Sequence, residues 1–391
     1  MTDADIQRID AFLAERRDGI VDFLMELANL ESPSLIPESQ HAIQELLTGR
    51  LESIGFTAEL IPGENTGDHL YLSLEEEGPP NGVPVQLLLG HTDTVWPIGT
   101  VYDMPVELED GASIVRGPGV FDMKAGIVQM VYALEALSAL GLEPTVAPTI
   151  FLNSDEEIGS PHSRDHVARL SRSSSRVLVL EPALGPKGHI KTTRRGVARF
   201  EVRVIGSASH SGVALEEGAS AIQEMAHVVH ALHALTDQQK GIGVNVGNIS
   251  GGTRVNVVAA ECRAGVDVRV GTQADAQWIG EVIRGIEPVT PGTRLEVEEV
   301  INVVPMEATP RNQVLWEAVR ESGRRLGLEL EEVQSGGASD GNTASLYTAT
   351  VDGLGAVGHG AHAHHEHVRV NELLERTTLL ALVLMMPDLE Y

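Results

Sequence analysis

The sequence predicts an α/β protein with a mostly parallel sheet covered by helices on both faces, interrupted by a smaller inserted α+β domain. First, short apolar runs alternate with helical periodicity through the first half of the chain, which is typical of parallel sheets covered on both sides. Second, residues 194–303 change to longer alternating strands. Third, 391 residues exceed one ordinary hydrophobic core. We therefore expect one domain formed by residues 1–193 and 304–391, and an inserted domain formed by residues 194–303.

In the first domain, apolar residues at helical spacing predict helices over residues 6–30 and 42–54, and a third from about 125 to 140. A polar, serine-rich helical region precedes residue 176. Short apolar segments between these helices predict strands over residues 57–61, 70–74, 85–89, 147–152 and 176–180.

The insert begins with strict apolar/polar alternation over residues 197–205, which indicates a half-solvated antiparallel strand. Helices are expected at about 220–235 and 274–286, and further strands near 243–249, 262–270 and 294–301. After Pro305 and Pro310 the helical periodicity returns. The chain then has a strand-like segment over residues 354–357 and a closing helix over residues 371–386.

Composition narrows the possible partners. The formal net charge of −28 makes nucleic acid and anionic membranes poor partners. Two explanations of the acidity stay open: a high-salt cytoplasm, or an ordinary acidic protein. The single Cys262 excludes an intramolecular disulfide and a cysteine-rich zinc site. An acidic start without a signal-peptide pattern, and no apolar run near eighteen residues, predict a cytoplasmic protein without a membrane span.

The strongest local signal is the apolar run 85–89 followed by Gly90, His91 and Asp93. Ligands of open α/β sheets bind at the carboxyl ends of the strands, where this histidine and aspartate fall. Neutral imidazole is a common metal ligand, and a nearby carboxylate often fixes its tautomer. We therefore regard His91 as a candidate metal ligand and Asp93 as the residue that orients it.

Further acidic and histidine residues follow other strands or a glycine-rich turn. They are Asp122, the pair Glu156 and Glu157, Glu181, and a histidine cluster over residues 359–367. Imidazole and carboxylate groups without thiolate suit zinc, cobalt or manganese in a hydrolytic role. The sequence thus predicts a metal-dependent hydrolase.

These motifs resemble those of the dinuclear zinc exopeptidase and deacylase family, which includes bacterial glutamate carboxypeptidase, acetylornithine deacetylase, succinyl-diaminopimelate desuccinylase and the aminoacylases. The resemblance covers essentially the whole chain and is closest to the glutamate carboxypeptidase branch. The motifs that carry it are His91-Thr92-Asp93, Gly117 to Lys124 around Asp122, Asp155-Glu156-Glu157, Leu180-Glu181-Pro182, Ala208 to Gly212 around His210, and His362 with Glu366 and Val368.

The resemblance implies a zinc-exopeptidase-like catalytic domain and a ferredoxin-like dimerisation or lid domain. Two divalent metal ions, zinc or else cobalt or manganese, would share Asp122 as a bridge. His91 and Glu181 would complete one metal site, and Glu157 and His362 the other. Glu156 would be the general base on a metal-bridging water, with Asp93 orienting His91.

For the insert, the resemblance implies a homodimer in which His210 reaches the active site of the partner subunit and stabilises the oxyanion. Asn256 matches a substrate-contacting residue, and we include Arg254 of the same segment as a substrate-binding candidate. Gly337 lies in a turn that resembles one presenting backbone N–H groups to a substrate carboxylate; a plain turn before a helix is the alternative. The basic segment 187–199 is either a solvated hinge or a region that attracts that carboxylate.

The expected reaction is hydrolysis of a peptide or N-acyl amide bond next to a free carboxylate in a small peptide or N-acyl amino acid. An N-acyl-amino-acid deacylase is the alternative enzyme, and a non-catalytic metal-binding dimer is the alternative from another class. His359, His364, His365 and His367 compete with His362 as ligands, and their roles stay open. The glutamate-selective relative has an arginine where residues 301–304 have none, which favours another or a broader side-chain preference.

Overall fold

The computed structural model describes residues 1–75, 82–109 and 111–391. Within these residues the chain divides into two compact units. The first unit contains residues 1–192, 308–334 and 339–391, and the second contains residues 193–307 and 335–338, apart from the undescribed positions. Because the second unit is formed by an internal segment, the first is assembled from both ends of the chain. No described helix is both long and apolar enough to cross a membrane.

The helices and strands are numbered in chain order. The helices are α1 (Asp3–Glu15), α2 (Arg17–Asn29), α3 (Gln40–Glu52), α4 (Thr100–Asp103), α5 (Ala125–Ala139), α6 (Arg164–Arg172), α7 (Ala221–His233), α8 (Gln273–Arg284), α9 (Pro310–Arg325), α10 (Asp340–Ala344) and α11 (Val370–Leu384). The strands are β1 (Thr57–Ile61), β2 (His69–Ser73), β3 (Val85–His91), β4 (Glu107–Glu109), β5 (Ile114–Arg116), β6 (Ala147–Asn153), β7 (Arg176–Val179), β8 (Ile190–Arg194), β9 (Gly196–Ile205), β10 (Gly243–Gly251), β11 (Glu261–Val270), β12 (Arg294–Val303), β13 (Glu332–Ser335), β14 (Ala349–Val351), β15 (Gly358–His359) and β16 (His367–Arg369).

The main sheet of the first unit has the strand order β1-β2-β6-β3-β7-β14. β6, β3, β7 and β14 run parallel, whereas β1 and β2 add antiparallel pairings at one edge. The register pairs His91 at the end of β3 with Asn153 at the end of β6. The expected mostly parallel sheet is confirmed, and the carboxyl ends of its central strands meet at one edge.

Both faces of this sheet are covered. On β3, Leu88 packs into the large core formed with α1, α2, α5 and α11, whereas Leu87 and Leu89 pack into a smaller core on the opposite face. All three side chains are fully buried, and each contributes about 1.5–3 kcal/mol of hydrophobic stabilisation. β3 is therefore apolar on both sides, as a central strand of a doubly covered sheet must be.

One close contact sets the position of α5 below the end of β7. A Cβ atom added to Gly126 would lie 2.1 Å from the carbonyl oxygen of Leu180. Only glycine allows this approach, because a backbone carbonyl at the end of a central strand cannot move away cheaply. Gly126 thus brings the turn before α5, which carries Asp122, towards the segment that carries Glu181.

The second unit contains an antiparallel sheet with the order β10-β11-β9-β12. α7 and α8 contribute Met225, Val228 and Ile279, among others, to the hydrophobic core beneath it. Side-chain oxygens of Ser220 and Thr272 cap the two helices by accepting N–H groups of their first turns. The alternating pattern of the insert therefore forms an α+β unit.

Three details differ from the sequence-based expectations. The helix expected over residues 6–30 breaks at Arg16, whose backbone leaves the helical region. The prediction of a strand over residues 354–357 is wrong. The backbone N–H of Leu354 donates to the carbonyl of Val179, the last residue of β7, and that of Gly355 donates to the carbonyl of Glu181, so the segment does not continue a strand pairing. Segments 304–307 and 335–338, expected in the first domain, cluster with the second unit. Backbone hydrogen bonds join Met306 to Arg194 and Ser335 to Arg195.

Candidate metal centre

His91 ends β3 and is almost completely buried, with 1% of its surface exposed. Its Nδ1 atom lies 3.0 Å from the backbone carbonyl oxygen of Asp93 and 3.3 Å from the Oδ1 atom of the same residue. Because both neighbours are acceptors, Nδ1 carries the proton and donates. Nε2 is therefore the nitrogen left for a metal ion, and it lies 3.3 Å from Glu181 Oε1 and 3.4 Å from Asp122 Oδ1.

Asp122 lies in the irregular turn Val120–Lys124 that leads into α5. Its two carboxylate oxygens face two different imidazoles. Oδ1 lies 3.4 Å from His91 Nε2, and Oδ2 lies 3.4 Å from His362 Nε2. Glu157 Oε2 is 3.1 Å from the same His362 nitrogen. Asp122 thus stands between two sets of nitrogen and oxygen atoms.

The arrangement has the chemistry of a cation site. His91, Asp122 and Glu157 offer ligand atoms within 4.8 Å of one another, and so do His91, Glu156 and Glu181. His91 Nε2, Asp122 Oδ1 and Glu157 Oε1 are buried without a hydrogen-bond partner of acceptable geometry. Such atoms are costly in a folded protein unless they have another role. Together these residues fit a divalent metal of the kind that imidazole and carboxylate oxygens bind.

The pKa values of the candidate ligands are shifted by burial and by the charged groups around them. Burial acts to raise the pKa of Asp122, but the imidazoles of His362 and His91 outweigh it and hold that pKa well below its usual range. Burial raises the pKa of Glu157 to about 7. Asp122 and Glu157 together raise the pKa of His362 to about 10. Because bound metal needs unprotonated ligands, metal binding here must release protons.

Asp93 supports several groups at once. It is buried, and its two carboxylate oxygens accept the backbone N–H groups of Glu156 at 3.2 Å and Glu157 at 3.1 Å. Ser34 donates its hydroxyl to the same carboxylate at 2.6 Å. Asp93 therefore both orients His91 and fixes the turn that carries the glutamate pair.

Burial, reinforced by the charge of Glu181, raises the pKa of Glu156 well above its usual value.

Glu366 is a supporting residue whose role the sequence did not reveal. It is fully buried and accepts four N–H groups at 2.9–3.0 Å, from the backbones of Gly119, Phe121 and Asp122 and from the indole of Trp96. The motif spacing had marked it only as a partner of His362 in sequence. A buried glutamate needs such compensation, but its sequence neighbours are His365 and His367, so nothing in the local pattern signalled its burial.

Asp340 is a second supporting residue that the sequence analysis missed. It begins α10 and is buried, and its carboxylate accepts hydrogen bonds at 2.5 Å from Asn153 at the end of β6 and from Ser160. Burial raises its pKa to about 6. Its only sequence signal was an acidic residue directly after a serine N-cap.

The loop between β15 and β16 carries His362, which is half exposed and has a positive φ of 62°. A non-glycine residue in this left-handed region is uncommon and often marks a functional site. Of the histidines in the cluster, the structure brings His362 to Asp122 and Glu157. His359, His365 and His367 contact one another instead.

The remaining candidates, His210, Arg254, Asn256 and Gly337, belong to the second unit. His210 is exposed, and its Nδ1 accepts the N–H of Gly212 at 3.2 Å, which leaves Nε2–H free to donate. Asn256 and Arg254 are exposed, and the carbonyl of Asn256 accepts the N–H of Ser211. The N–H of Gly337 donates to Ser335 Oγ at 3.3 Å, so this group already has a partner.

Comparison with known proteins agrees with this geometry. Residues 87–386 match Peptidase family M20/M25/M40. Carboxypeptidase G2 from Pseudomonas sp. (strain RS-16) is 26% identical over 384 residues, covering 95% of this chain and 90% of that protein. Succinyl-diaminopimelate desuccinylase from Stenotrophomonas maltophilia (strain R551-3) is 27% identical over 372 residues, covering 91% and 95% of the two chains.

Solved structures share the fold. Aminopeptidase PepT from Bacillus cereus ATCC 10987 superimposes with a TM-score of 0.78 at 20% identity, covering 94% of this chain and 98% of that one. The M20 family metallo-carboxypeptidase Sso-CP2 from Sulfolobus solfataricus gives a TM-score of 0.72 at 16% identity, with the same coverages. The resemblance inferred from the motifs is confirmed, and the chain belongs to Peptidase family M20/M25/M40, a family of metal-dependent hydrolases.

Proposed function

We propose that this protein is a dinuclear metal-dependent carboxypeptidase that hydrolyses a peptide or N-acyl amide bond next to a free carboxylate. The observation that carries the proposal is the position of Asp122, whose two oxygens each face a different imidazole at 3.4 Å. One carboxylate between two ligand sets is the arrangement that a pair of metal ions about 3.5–4 Å apart requires.

In this proposal Asp122 would be a ligand shared by the two ions, zinc being the metal that the donor set favours. His91 and Glu181 would hold one ion, and Glu157 and His362 would hold the other. When bound, the metal pair supplies Lewis acidity to the scissile carbonyl and lowers the pKa of the attacking water. Glu181 and Glu157 are both close to imidazole nitrogens, at 3.3 and 3.1 Å, which supports their assignment to opposite sites.

Glu156 acts as general base. It takes a proton from the attacking water and later passes it to the leaving nitrogen. A carboxylate suits this role when its pKa approaches the working pH, and burial raises the pKa of Glu156 in that direction. The backbone N–H of Glu156 donates to Asp93 and fixes the start of the turn, so the Glu156 side chain extends from a restrained backbone.

The second unit supplies substrate contacts and a dimer interface in this proposal. His210 donates its free Nε2–H to the developing oxyanion in the active site of the partner subunit. The exposed Asn256 and Arg254 contact the substrate, and the turn at Gly337 lies near its free carboxylate. Gly337 contributes less directly than the motif implied, because its N–H donates to Ser335.

An N-acyl-amino-acid deacylase is the second candidate function. The observation that favours it is the near-equal similarity of the chain to a carboxypeptidase and to a desuccinylase over almost its full length. Both reactions break an amide bond with the same base and metal ligands, and they differ in the group on the acyl side.

A substrate panel tests the proposal. Dipeptides and N-acyl amino acids, each with a free or an amidated carboxyl terminus, are assayed with added zinc, cobalt and manganese. We expect hydrolysis of the free acids only, its loss after chelation, and its recovery when metal is restored. Chelator-resistant hydrolysis, or equal rates on amidated substrates, would contradict the proposal. The preference between dipeptides and N-acyl amino acids separates carboxypeptidase from deacylase.

A further inference from the structure

A second group of histidines lies on the surface beside the candidate metal centre. β15 and β16 pair antiparallel, and their register places His359 directly opposite His367. His365 lies two residues before His367 and is exposed, as is His359. The pairing of two very short strands thus gathers three imidazoles that the candidate metal centre does not use.

The distance between His359 and His365 matches shared coordination of one ion. His359 Nδ1 and His365 Nε2 are 3.3 Å apart, and the two rings are stacked with centroids at 5.3 Å and planes inclined by 28°. Two nitrogens bound tetrahedrally to one zinc at 2.0–2.1 Å are separated by about 3.3–3.4 Å. The two atoms already have the separation of two ligands on a tetrahedral metal.

His367 presents a further nitrogen. Its Nδ1 lies 2.9 Å from the backbone carbonyl of His365, so Nδ1 carries the proton and Nε2 keeps its lone pair. This tautomer is the one in which metal-binding histidines are often fixed by a backbone carbonyl. The same hydrogen bond also restrains the backbone at His365, which limits the freedom lost when an ion binds.

The surroundings are open and do not repel a cation. The three histidines line a surface groove of about 650 Å³ that also includes Phe121, Pro186 and Arg369. The guanidinium of Arg369 is paired with Glu372 at 2.8 Å and also donates to the carbonyl of Pro186. Arg116 lies opposite His367 in the sheet, and its charge is neutralised by a two-bond pair with Glu109 at 3.0 and 3.1 Å, while the whole chain has a net charge of −28. Water and ions therefore have free access.

We propose that His359 and His365 form an accessory binding site for a divalent transition-metal ion such as Zn²⁺, Cu²⁺ or Ni²⁺, separate from the centre around Asp122. Imidazole nitrogen is a ligand that all three ions accept. Water and His367 Nε2 are available to complete the coordination. The site goes beyond the proposed function and does not depend on it.

Binding at this site has a consequence for the loop between the two ligands. Residues 360–364 lie between His359 and His365, and His362 is in their middle. An ion held by both histidines closes this loop at its base. Excess metal therefore restrains the segment that presents His362 to Asp122 and Glu157.

Metal counting tests the site. The zinc-loaded enzyme is freed of excess metal, its zinc content is measured, and it is then dialysed to equilibrium against micromolar zinc. We expect the wild-type chain to take up one additional zinc ion and to unfold at a higher temperature. In His359→Ala and in His365→Ala the affinity for this ion should fall at least tenfold, since losing a direct ligand costs at least as much as losing a residue that only supports one, roughly 10- to 100-fold.

His364→Ala is the matched control, because His364 is exposed in the same loop but its ring faces Trp96, at 5.6 Å between centroids. This variant should bind the additional ion as the wild type does. Electron paramagnetic resonance of one equivalent of Cu²⁺ added to the zinc-loaded enzyme provides a second readout, in which the nitrogen hyperfine coupling should report fewer imidazole ligands in His359→Ala than in the wild type. The proposal is overturned if the wild type takes up no additional zinc, or if His359→Ala and His365→Ala bind it with unchanged affinity. The zinc content measured before dialysis reports on the other centre, so the two sites are tested separately.

Discussion

The Oε1 atom of Glu366 accepts the backbone N–H of Asp122 at 3.0 Å, although 244 positions separate the two residues in the chain. The same oxygen accepts the N–H of Phe121, and the other oxygen accepts the backbone N–H of Gly119 and the indole N–H of Trp96. A single buried carboxylate thus organises the turn that presents Asp122. Since Glu366 lies just before β16, it also ties that turn to the loop of His362.

Glu366→Gln should weaken metal binding at least tenfold and lower the free energy of unfolding by about 1–3 kcal/mol. An amide has one acceptor oxygen, and its NH₂ group would face N–H donors, which leaves buried donors unpaired. Supporting residues of this kind typically change metal affinity by about 10- to 100-fold. Competition with a chelator measures the metal affinity, and urea denaturation measures the free energy of unfolding. Glu15→Gln, on the exposed surface of α1, is the control and should change neither. Unchanged metal affinity in Glu366→Gln would contradict the positioning role.

Glu156→Gln should reduce turnover by about 10²–10⁴-fold, which is the usual contribution of a general base. The metal content should stay at the wild-type level, because the proposed ligands are unaltered. Steady-state kinetics combined with elemental analysis distinguishes the two quantities. If the variant loses metal in proportion to activity, Glu156 is a ligand and not the base.

His362→Ala should lower the metal content from two ions to one. Its Nε2 lies at 3.1 Å from Glu157 and 3.4 Å from Asp122, and the alanine leaves that site with oxygen ligands only. His91 and Glu181 should keep the other ion. Elemental analysis of the purified variant, beside His364→Ala as the control, provides the measurement. Retention of both ions with full activity would remove His362 from the ligand set.

His210→Ala should lower turnover at least tenfold, since losing one oxyanion donor costs about 10²–10³-fold in other hydrolases. Metal content should not change, because no metal ligand of the proposal lies in the second unit. His233→Ala, on the exposed surface of α7, is the control histidine. Mixing His210→Ala with an inactive Glu156→Gln chain tests the action across the dimer. Recovered activity in the mixture is expected if His210 works in the partner subunit, and unchanged turnover in the single variant would exclude the role.

Asp340 should make the protein less stable as the pH rises from about 4 to about 6. Its pKa is raised by burial from 3.8 to about 6, so in this window the folded state holds a proton that the unfolded state has released. The free energy of unfolding therefore falls as pH rises through the window, by about 3 kcal/mol for roughly two pKa units. Below the window both states are protonated, and the cost is absent.

Asp340→Asn should flatten this part of the pH profile, because an amide does not titrate. Urea denaturation of the metal-free protein at several pH values, with wild type and variant side by side, measures the difference. The amide oxygen can still accept from Ser160. Parallel profiles for the two proteins would show that Asp340 does not titrate in this range.

The sequence predicts the central sheet well, because its strands carry continuous apolar runs. In the structure the strand expected at 85–89 continues to His91, and the strand expected at 147–152 continues to Asn153. Short strands are different. β4, β5, β15 and β16 have two or three residues each, so no periodicity can reveal them. Residues 354–357 are apolar because they pack behind the end of β7, which explains the wrong strand prediction.

For the metal centre, residue type and position after a strand identify His91, Glu157 and Glu181 as candidates, and the structure brings their side chains together. The contacts that hold them were beyond the sequence, because they join residues far apart in the chain. Glu366 and Asp340 are examples, since each bonds partners about 180 or more positions away. Which histidine of the cluster faces Asp122 likewise depends on the pairing of β15 with β16.

The carboxylate of Asp93 holds the backbone of both Glu156 and Glu157 and also the ring of His91. The position of the metal ligands His91 and Glu157 and the position of the proposed base Glu156 consequently both depend on Asp93. A substitution that moves Asp93 to suit a different ion would displace Glu156 at the same time. We therefore expect that altered metal preference in this protein arises together with an altered pH optimum, and that neither property can be engineered alone through Asp93.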